Sequence, residues 1–396
     1  MRRVIEGSRA VAEAVKICRV QVIAAYPITP QTHIVQDLSE LVADGELEAQ
    51  YVRVESEHSA ASAVLGAAAV GARAYTASSS QGVMLMMEVL FNIAGMRFPV
   101  VMTCANRSLS APINIWNDQQ DSFSTRDAGW IQLYAEDNQE AVDLHLQAFR
   151  IGEDHRVELP VMVCMDGFVL THSYEAVDVP EQELADRYLP PYRPTRKLDP
   201  ADPKTFGVYC EEGYSETRYA LQQALERAQG VIVEAADEFE RLTGRRSGGL
   251  LQTYRLEDAE VALLATGSVV GVLKSAADAL RAEGQRVGVI KLVAYRPFPS
   301  QALCQALAGV KKVVVLEKAI SLGGVGVIAA DLRSALHGVK DAPEVSSFIA
   351  LGGKEVGLDT VRQLVAAVKK GYVQAQFVGL DEEFLRDEAL LGAAER

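Results

Sequence analysis

Three side chains stand where candidate strands give way to helices or loops, and each is of a type that handles small anions or ring nitrogens. Glu57 follows the run 51–55 and opens a segment of small residues, Ser59 to Gly71. A carboxylate there either complements the helix dipole or, kept ionised by that same field, hydrogen-bonds a ring nitrogen. Arg107 comes just after the apolar run 98–104, where a guanidinium can grip a small carboxylate through two parallel N–H bonds. A plain ion pair with Asp118 or Asp121 is the other reading. Thr29 lies in Tyr26-Pro27-Ile28-Thr29-Pro30, whose two prolines fix the backbone and leave the hydroxyl and nearby amides at the sheet edge, or form only a rigid turn. The loop Asn117-Asp118-Gln119-Gln120-Asp121 either covers a site or is a solvated turn, and His58 reads more simply as a packed or solvated histidine.

The elements that must position these groups follow from hydrophobic periodicity. Short apolar runs at 21–25, 51–55, 72–76, 98–104 and 160–165 alternate with helical patterns at 8–18, 32–43, 58–70, 82–95 and 138–151, which predicts a mainly parallel sheet. In such a sheet the loops after the strands gather on one edge, where ligands bind. The polar and aromatic segment 106–137 lacks a sustained period and reads as a lid or binding loop. Residues 1–235 are expected to form the first domain, with an extended arm at 175–215 wrapping a neighbouring surface. A connection at 236–253, a smaller parallel α/β domain at 254–375 and an acidic tail at 376–396 follow.

Length and composition agree with two α/β domains: 396 residues, 49% hydrophobic and 23% charged. The net charge of −14 opposes binding to polyanions, so nucleic acid is not an expected partner. No apolar h-region follows Met1-Arg2-Arg3, and the apolar stretches 59–72 and 82–96 are short for a membrane span, so a cytoplasmic protein is expected. Cys18, Cys104, Cys164, Cys210 and Cys304 lie far apart without a C-x-x-C, and the six histidines are scattered, so neither a cluster nor a metal site is expected on this chain. Gly324-Val325-Gly326-Val327-Ile328-Ala329 fits G-x-G-x-x-A and raises an NAD-binding alternative, although it does not directly follow the strand 311–316. An inert scaffold subunit is the remaining alternative.

Four blocks in order carry a resemblance: Tyr26-Pro27-Ile28-Thr29-Pro30-Gln31-Thr32, Glu55-Ser56-Glu57-His58-Ser59-Ala60, Ser79-Ser80-Gln81-Gly82, and Asn106-Arg107-Ser108-Leu109-Ser110-Ala111-Pro112. The chain resembles the alpha (PorA-type) subunits of pyruvate:ferredoxin oxidoreductase and its 2-oxoacid:acceptor relatives over nearly its whole length. Ala265-Thr266-Gly267-Ser268 and Val315-Leu316-Glu317-Lys318 look like the transketolase C-terminal type that follows in these enzymes. The resemblance implies an α/β fold in which a pyrimidine-type thiamine-diphosphate-binding domain with a parallel sheet precedes a smaller transketolase C-terminal-like domain.

It further implies that Glu57 hydrogen-bonds the aminopyrimidine ring of thiamine diphosphate and promotes loss of the thiazolium C2 proton, with Pro27 and Ile28 beside the cofactor. Thr29 and Arg107 would hold a 2-oxoacid, and Asn117 and Asp118 are further candidates on the substrate side. The implied reaction is a coenzyme A-acylating oxidative decarboxylation, of pyruvate or of an aryl or branched 2-oxoacid such as phenylglyoxylate. No G-D-G magnesium loop is present and no asparagine follows Asn138. Magnesium and the diphosphate are therefore expected on a beta-type partner, and [4Fe-4S] clusters on gamma- and delta-type ferredoxin-like partners. Ferredoxin, or NAD through a flavin subunit, would accept the electrons.

Overall fold

The computed structural model describes residues 2–207 and 212–386; Cys210, part of the segment 175–215 and the end of the tail lie outside them. The mostly apolar strands Val161–Asp166 and Val101–Asn106 are buried along their full length, as strands covered on both faces must be, with their polar Thr103, Asn106 and Asp166 hydrogen-bonded inside. They sit in a seven-stranded sheet with the order Ala294–Arg296, Ile131–Tyr134, Val161–Asp166, Val101–Asn106, Ala74–Ser78, Val22–Ala25 and Gln50–Arg53. The last six are parallel, and only Ala294–Arg296 runs the other way.

Helices Gly7–Ile17, Thr32–Ala43 and Asn138–Gly152 cover one face of this sheet, and helices Glu57–Ala69 and Met87–Gly95 the other. The chain leaves strand Val22–Ala25 toward the first face and leaves Gln50–Arg53 toward the second. This reversal makes the crevice beside Val22–Ala25 a topological switch point, and Glu57 opens the helix that crosses it.

A six-stranded sheet forms the second half, in the order Gln376–Phe377, Glu344–Ile349, Lys312–Glu317, Val261–Ala265, Val287–Leu292 and Leu251–Tyr254, with the last strand antiparallel. The halves share more than a boundary. Ala294–Arg296 belongs by sequence to the second half but pairs with Ile131–Tyr134 in the first sheet, and one buried apolar cluster runs from Ala60 and Met102 to Leu264 and Ile328. Lys291 bonds Glu140 at 2.7 Å and Glu136 at 2.9 Å across the same boundary.

Several expected elements differ. The segment 236–253 is not a free connection: helix Tyr214–Thr243 fills its start and strand Leu251–Tyr254 its end. That helix buries Leu221, Ala224, Ala228, Val231, Ile232, Ala235 and Phe239, a stripe whose alanines give a weak hydropathy signal between charged neighbours. Parts of the arm pack on this chain. Tyr174–Asp178 pairs with Arg2–Glu6, Gln182–Tyr188 is helical, and beyond it Leu198 N–H donates to the Ala69 carbonyl. Within 106–137, helix Gln120–Ser124 and strand Ile131–Tyr134 interrupt the irregular backbone, and the helix expected at 82–95 is broken at Met86. Among the described residues no helix is long and apolar enough to cross a membrane.

Candidate active site

The turns after the parallel strands converge at the switch point. Ser56 caps helix Glu57–Ala69, its hydroxyl accepting from Ser59 N–H at 3.2 Å, which fixes Glu57 in the first turn. Glu57 is 7% exposed, and its carboxylate makes no hydrogen bond or ion pair with any described residue. What lies against it is Gly82. A Cβ there would stand 2.6 Å from Glu57 Oε1 and would also crowd the buried Ser78 hydroxyl, which itself has no partner. A Gly82→Ala variant is therefore expected to displace the carboxylate and lower turnover about tenfold; wild-type turnover in a steady-state assay of the assembled enzyme would refute this placement.

Arg107 meets Thr29 at the same edge. Its Nη1 donates to the Thr29 carbonyl at 3.0 Å and its Nε to the Asn114 carbonyl at 3.1 Å. No ion pair involves Arg107 among the described residues, so the expected alternative of a plain pair with Asp118 or Asp121 does not form. Of the five guanidinium N–H groups, the three left over are on Nη1 and Nη2, the end that can take a carboxylate two-fold. Pro27 and the Thr29 side chain are exposed at the edge and Ile28 is half-buried. Gln31 braces their turn, accepting from Ile28 N–H and donating to the Ala77 carbonyl at 2.8 Å.

Sequence reasoning missed the group that ties these turns together, Asp121. Its fully buried carboxylate accepts from the backbone N–H of Ser80 at 2.9 Å and of Arg107 at 3.0 Å, and from the Asn106 amide at 2.8 Å. Burial pushes its carboxyl up to about 6 despite these donors. Ser80 sits at φ 48, a region side chains rarely occupy, and Asp121 together with the Ser108 carbonyl holds it there. The polar loop offered the signal, but backbone donors leave no trace in a sequence.

Asn117 and Asp118 do not reach the Arg107 guanidinium; they dock the loop on the second half. Asn117 accepts Gly353 N–H at 2.9 Å through its carbonyl, while its buried side-chain amide has no partner. Asp118 accepts from Gly352 N–H at 3.2 Å and from Gln120, and burial pushes its carboxyl up. Next to them, Asp166 closes strand Val161–Asp166 and takes Gln119 at 3.0 Å, Ser268 N–H at 3.0 Å and Lys318 at 3.6 Å. Burial opposes its charge, but Lys318, Ser268 and Gln119 outweigh that and hold its carboxyl below the usual range.

The glycine-rich turn at 324–329 is occupied by the chain itself. Glu317 accepts Ile328 N–H at 2.7 Å and Ser347 Oγ–H at 3.0 Å, so a side-chain carboxyl group fills the helix start where a dinucleotide phosphate would sit. A side chain at Gly326 would collide with it. Burial pushes the Glu317 carboxyl up to about 8 from 4.5. The folded protein thus holds a proton that the unfolded chain releases, and stability should fall as pH rises between those values. The slope is at most about 1.4 kcal/mol per pH unit. Unfolding measured from pH 5 to 8 should be flatter in Glu317→Gln, and an unchanged slope would refute the assignment.

A parallel-sheet domain with an acidic group at its switch point, backed by a second α/β half, is the fold of thiamine-diphosphate enzymes of the transketolase kind. Superposition gives a TM-score of 0.71 at 20% identity with a 2-oxoglutarate:ferredoxin oxidoreductase from Magnetococcus marinus, covering 93% of this chain and 65% of that one. A split gene transketolase gives 0.54 at 14% identity, covering 93% and 98%. Residues 13–237 match the family described as pyruvate flavodoxin/ferredoxin oxidoreductase, thiamine diphosphate-binding, and residues 259–361 match pyruvate:ferredoxin oxidoreductase core domain II. The chain belongs to the pyruvate:ferredoxin oxidoreductase family. It is 52% identical over 336 residues to pyruvate synthase subunit PorA of Methanosarcina barkeri, covering 84% of each chain. It is 48% identical to PorA of Pyrococcus furiosus and 42% identical to ketoisovalerate oxidoreductase subunit VorA of Pyrococcus horikoshii, covering 85% of each chain in both cases.

Proposed function

We propose that this chain is the substrate-facing alpha subunit of a complex that oxidatively decarboxylates pyruvate and passes the acyl group to coenzyme A. The observation that carries the proposal is the Glu57 carboxylate, buried without a partner of its own beside the bare backbone of Gly82. A group with that environment suits the ring-nitrogen end of thiamine diphosphate, and the missing Cβ at Gly82 leaves room for the Glu57 carboxylate itself. When bound, thiamine diphosphate supplies the carbanion chemistry. Glu57 hydrogen-bonds its aminopyrimidine ring and orients it, with Pro27 and Ile28 alongside. Arg107 grips the 2-oxoacid carboxylate through its three remaining N–H groups, beside Thr29, while Asn117 and Asp118 set the loop that carries Arg107.

The chain has no residues of the G-D-G type for magnesium. The diphosphate therefore rests on a beta-type partner, and the electrons leave through [4Fe-4S] clusters on gamma- and delta-type partners to ferredoxin, or to NAD through a flavin subunit. Pyruvate is favoured over branched 2-oxoacids because the pyruvate synthase relatives are 48% to 52% identical and the ketoisovalerate relatives 42%. The test is dye reduction by the purified complex, dependent on coenzyme A, with pyruvate, 2-oxoisovalerate and phenylglyoxylate compared. The expected kcat/KM for pyruvate exceeds the others by at least about tenfold, the discrimination that one or two pocket methylenes supply. Higher kcat/KM for either of the bulkier acids would overturn the substrate assignment.

A further inference from the structure

Among the described residues, one grouping of three metal-ligating side chains stands apart from the site: Glu6, His33 and His172, whose potential ligand atoms all lie within 4.8 Å of one another. They come from separate elements. Glu6 closes strand Arg2–Glu6, His33 is in the first turn of helix Thr32–Ala43, and His172 lies in the turn that follows Asp166. His33 Nδ1 is 2.7 Å from Glu6 Oε1, and the two imidazole rings are 4.7 Å apart at 33°. A surface hydrogen bond explains the first contact. It does not explain why a second imidazole, from a distant part of the chain, arrives at the same point.

His172 is prepared on its other side. Its Nδ1 lies 2.7 Å from the hydroxyl of the buried Thr171, which also accepts Phe168 N–H at 2.8 Å. With the proton on Nδ1, the lone pair on Nε2 is free, the arrangement by which an outer hydrogen bond readies a histidine for an ion.

We propose that Glu6, His33 and His172 form a binding site for a borderline divalent cation of the zinc, cobalt or nickel type, with water completing the coordination. Two imidazoles and one carboxylate suit such ions, whereas magnesium and calcium favour oxygen ligands. The ion would tie down two segments of the candidate active site. His33 comes four residues after Thr29 and His172 six after Asp166. Phe168 packs on His172 at 4.8 Å and Trp116 on Phe168 at 5.3 Å, so the site also abuts the loop that carries Arg107.

The test uses the purified complex, treated with chelator, dialysed against zinc alone and assayed for zinc by mass spectrometry. Wild type should hold one zinc per chain more than the His33→Ala/His172→Gln double variant, and millimolar magnesium should not displace it. His33→Ala alone changes a side chain that is 47% exposed and leaves the part-buried Thr171–His172 contact untouched, so it decides the matter if the double variant fails to assemble. It should weaken zinc binding at least about tenfold. Equal zinc content in wild type and variant, or displacement by magnesium, overturns the proposal.

Discussion

Replacing Glu57 with alanine in the assembled complex is expected to lower 2-oxoacid oxidation about 10³-fold, within the range for loss of a positioned proton-handling group. The effect should fall on turnover. Glu57 makes no hydrogen bond or ion pair with Arg107 or Thr29, so the affinity for the 2-oxoacid should hold, and it bonds no described residue, so assembly should survive. Glu57→Gln separates charge from shape: a neutral amide fills the same space beside Gly82 but is a poorer acceptor for a ring proton. If both variants keep wild-type turnover in a steady-state assay, the assignment of Glu57 to the cofactor ring fails.

Arg107→Lys should lower kcat/KM for the 2-oxoacid about 10²-fold, the equivalent of one or two charge-assisted hydrogen bonds. The positive charge survives this change, but the geometry does not. Two of the guanidinium N–H groups already hold the carbonyls of Thr29 and Asn114, and an ammonium cannot do that and also take a carboxylate two-fold. Most of the loss should appear in KM, since the carboxylate is gripped in the bound ground state and gives up its charge as CO2 departs. A lysine variant with unchanged KM would show that another group holds the substrate.

The sheet was legible because parallel strands buried on both faces are mostly apolar, and the strands at 101–106 and 161–166 are so except for Thr103 and the closing Asn106 and Asp166. The switch-point position of Glu57 followed from strand order, which alternating helices and strands suggest but do not fix. Three features were hidden for separate physical reasons. The helix Tyr214–Thr243 packs through alanines. The strand Ile131–Tyr134 carries Gln132, a polar residue that is fully buried because its amide donates to Ser122 and Thr125. The role of Asp121 rests on backbone donors that any residue type supplies. Long separations along the chain likewise concealed the meeting of Glu6, His33 and His172.

The strand Ala294–Arg296, lent by one half of the chain to the sheet of the other, has a mechanical consequence. A protease nick between Gly244 and Gly249 should leave two fragments that travel together in a native gel and part only in denaturant, because the borrowed strand and the Lys291 pairs stay engaged. The two halves are therefore expected to move as one body. On that expectation a 2-oxoacid enters past the loop from Arg107 to Gln119 or past a neighbouring polypeptide, not through a hinge within this chain.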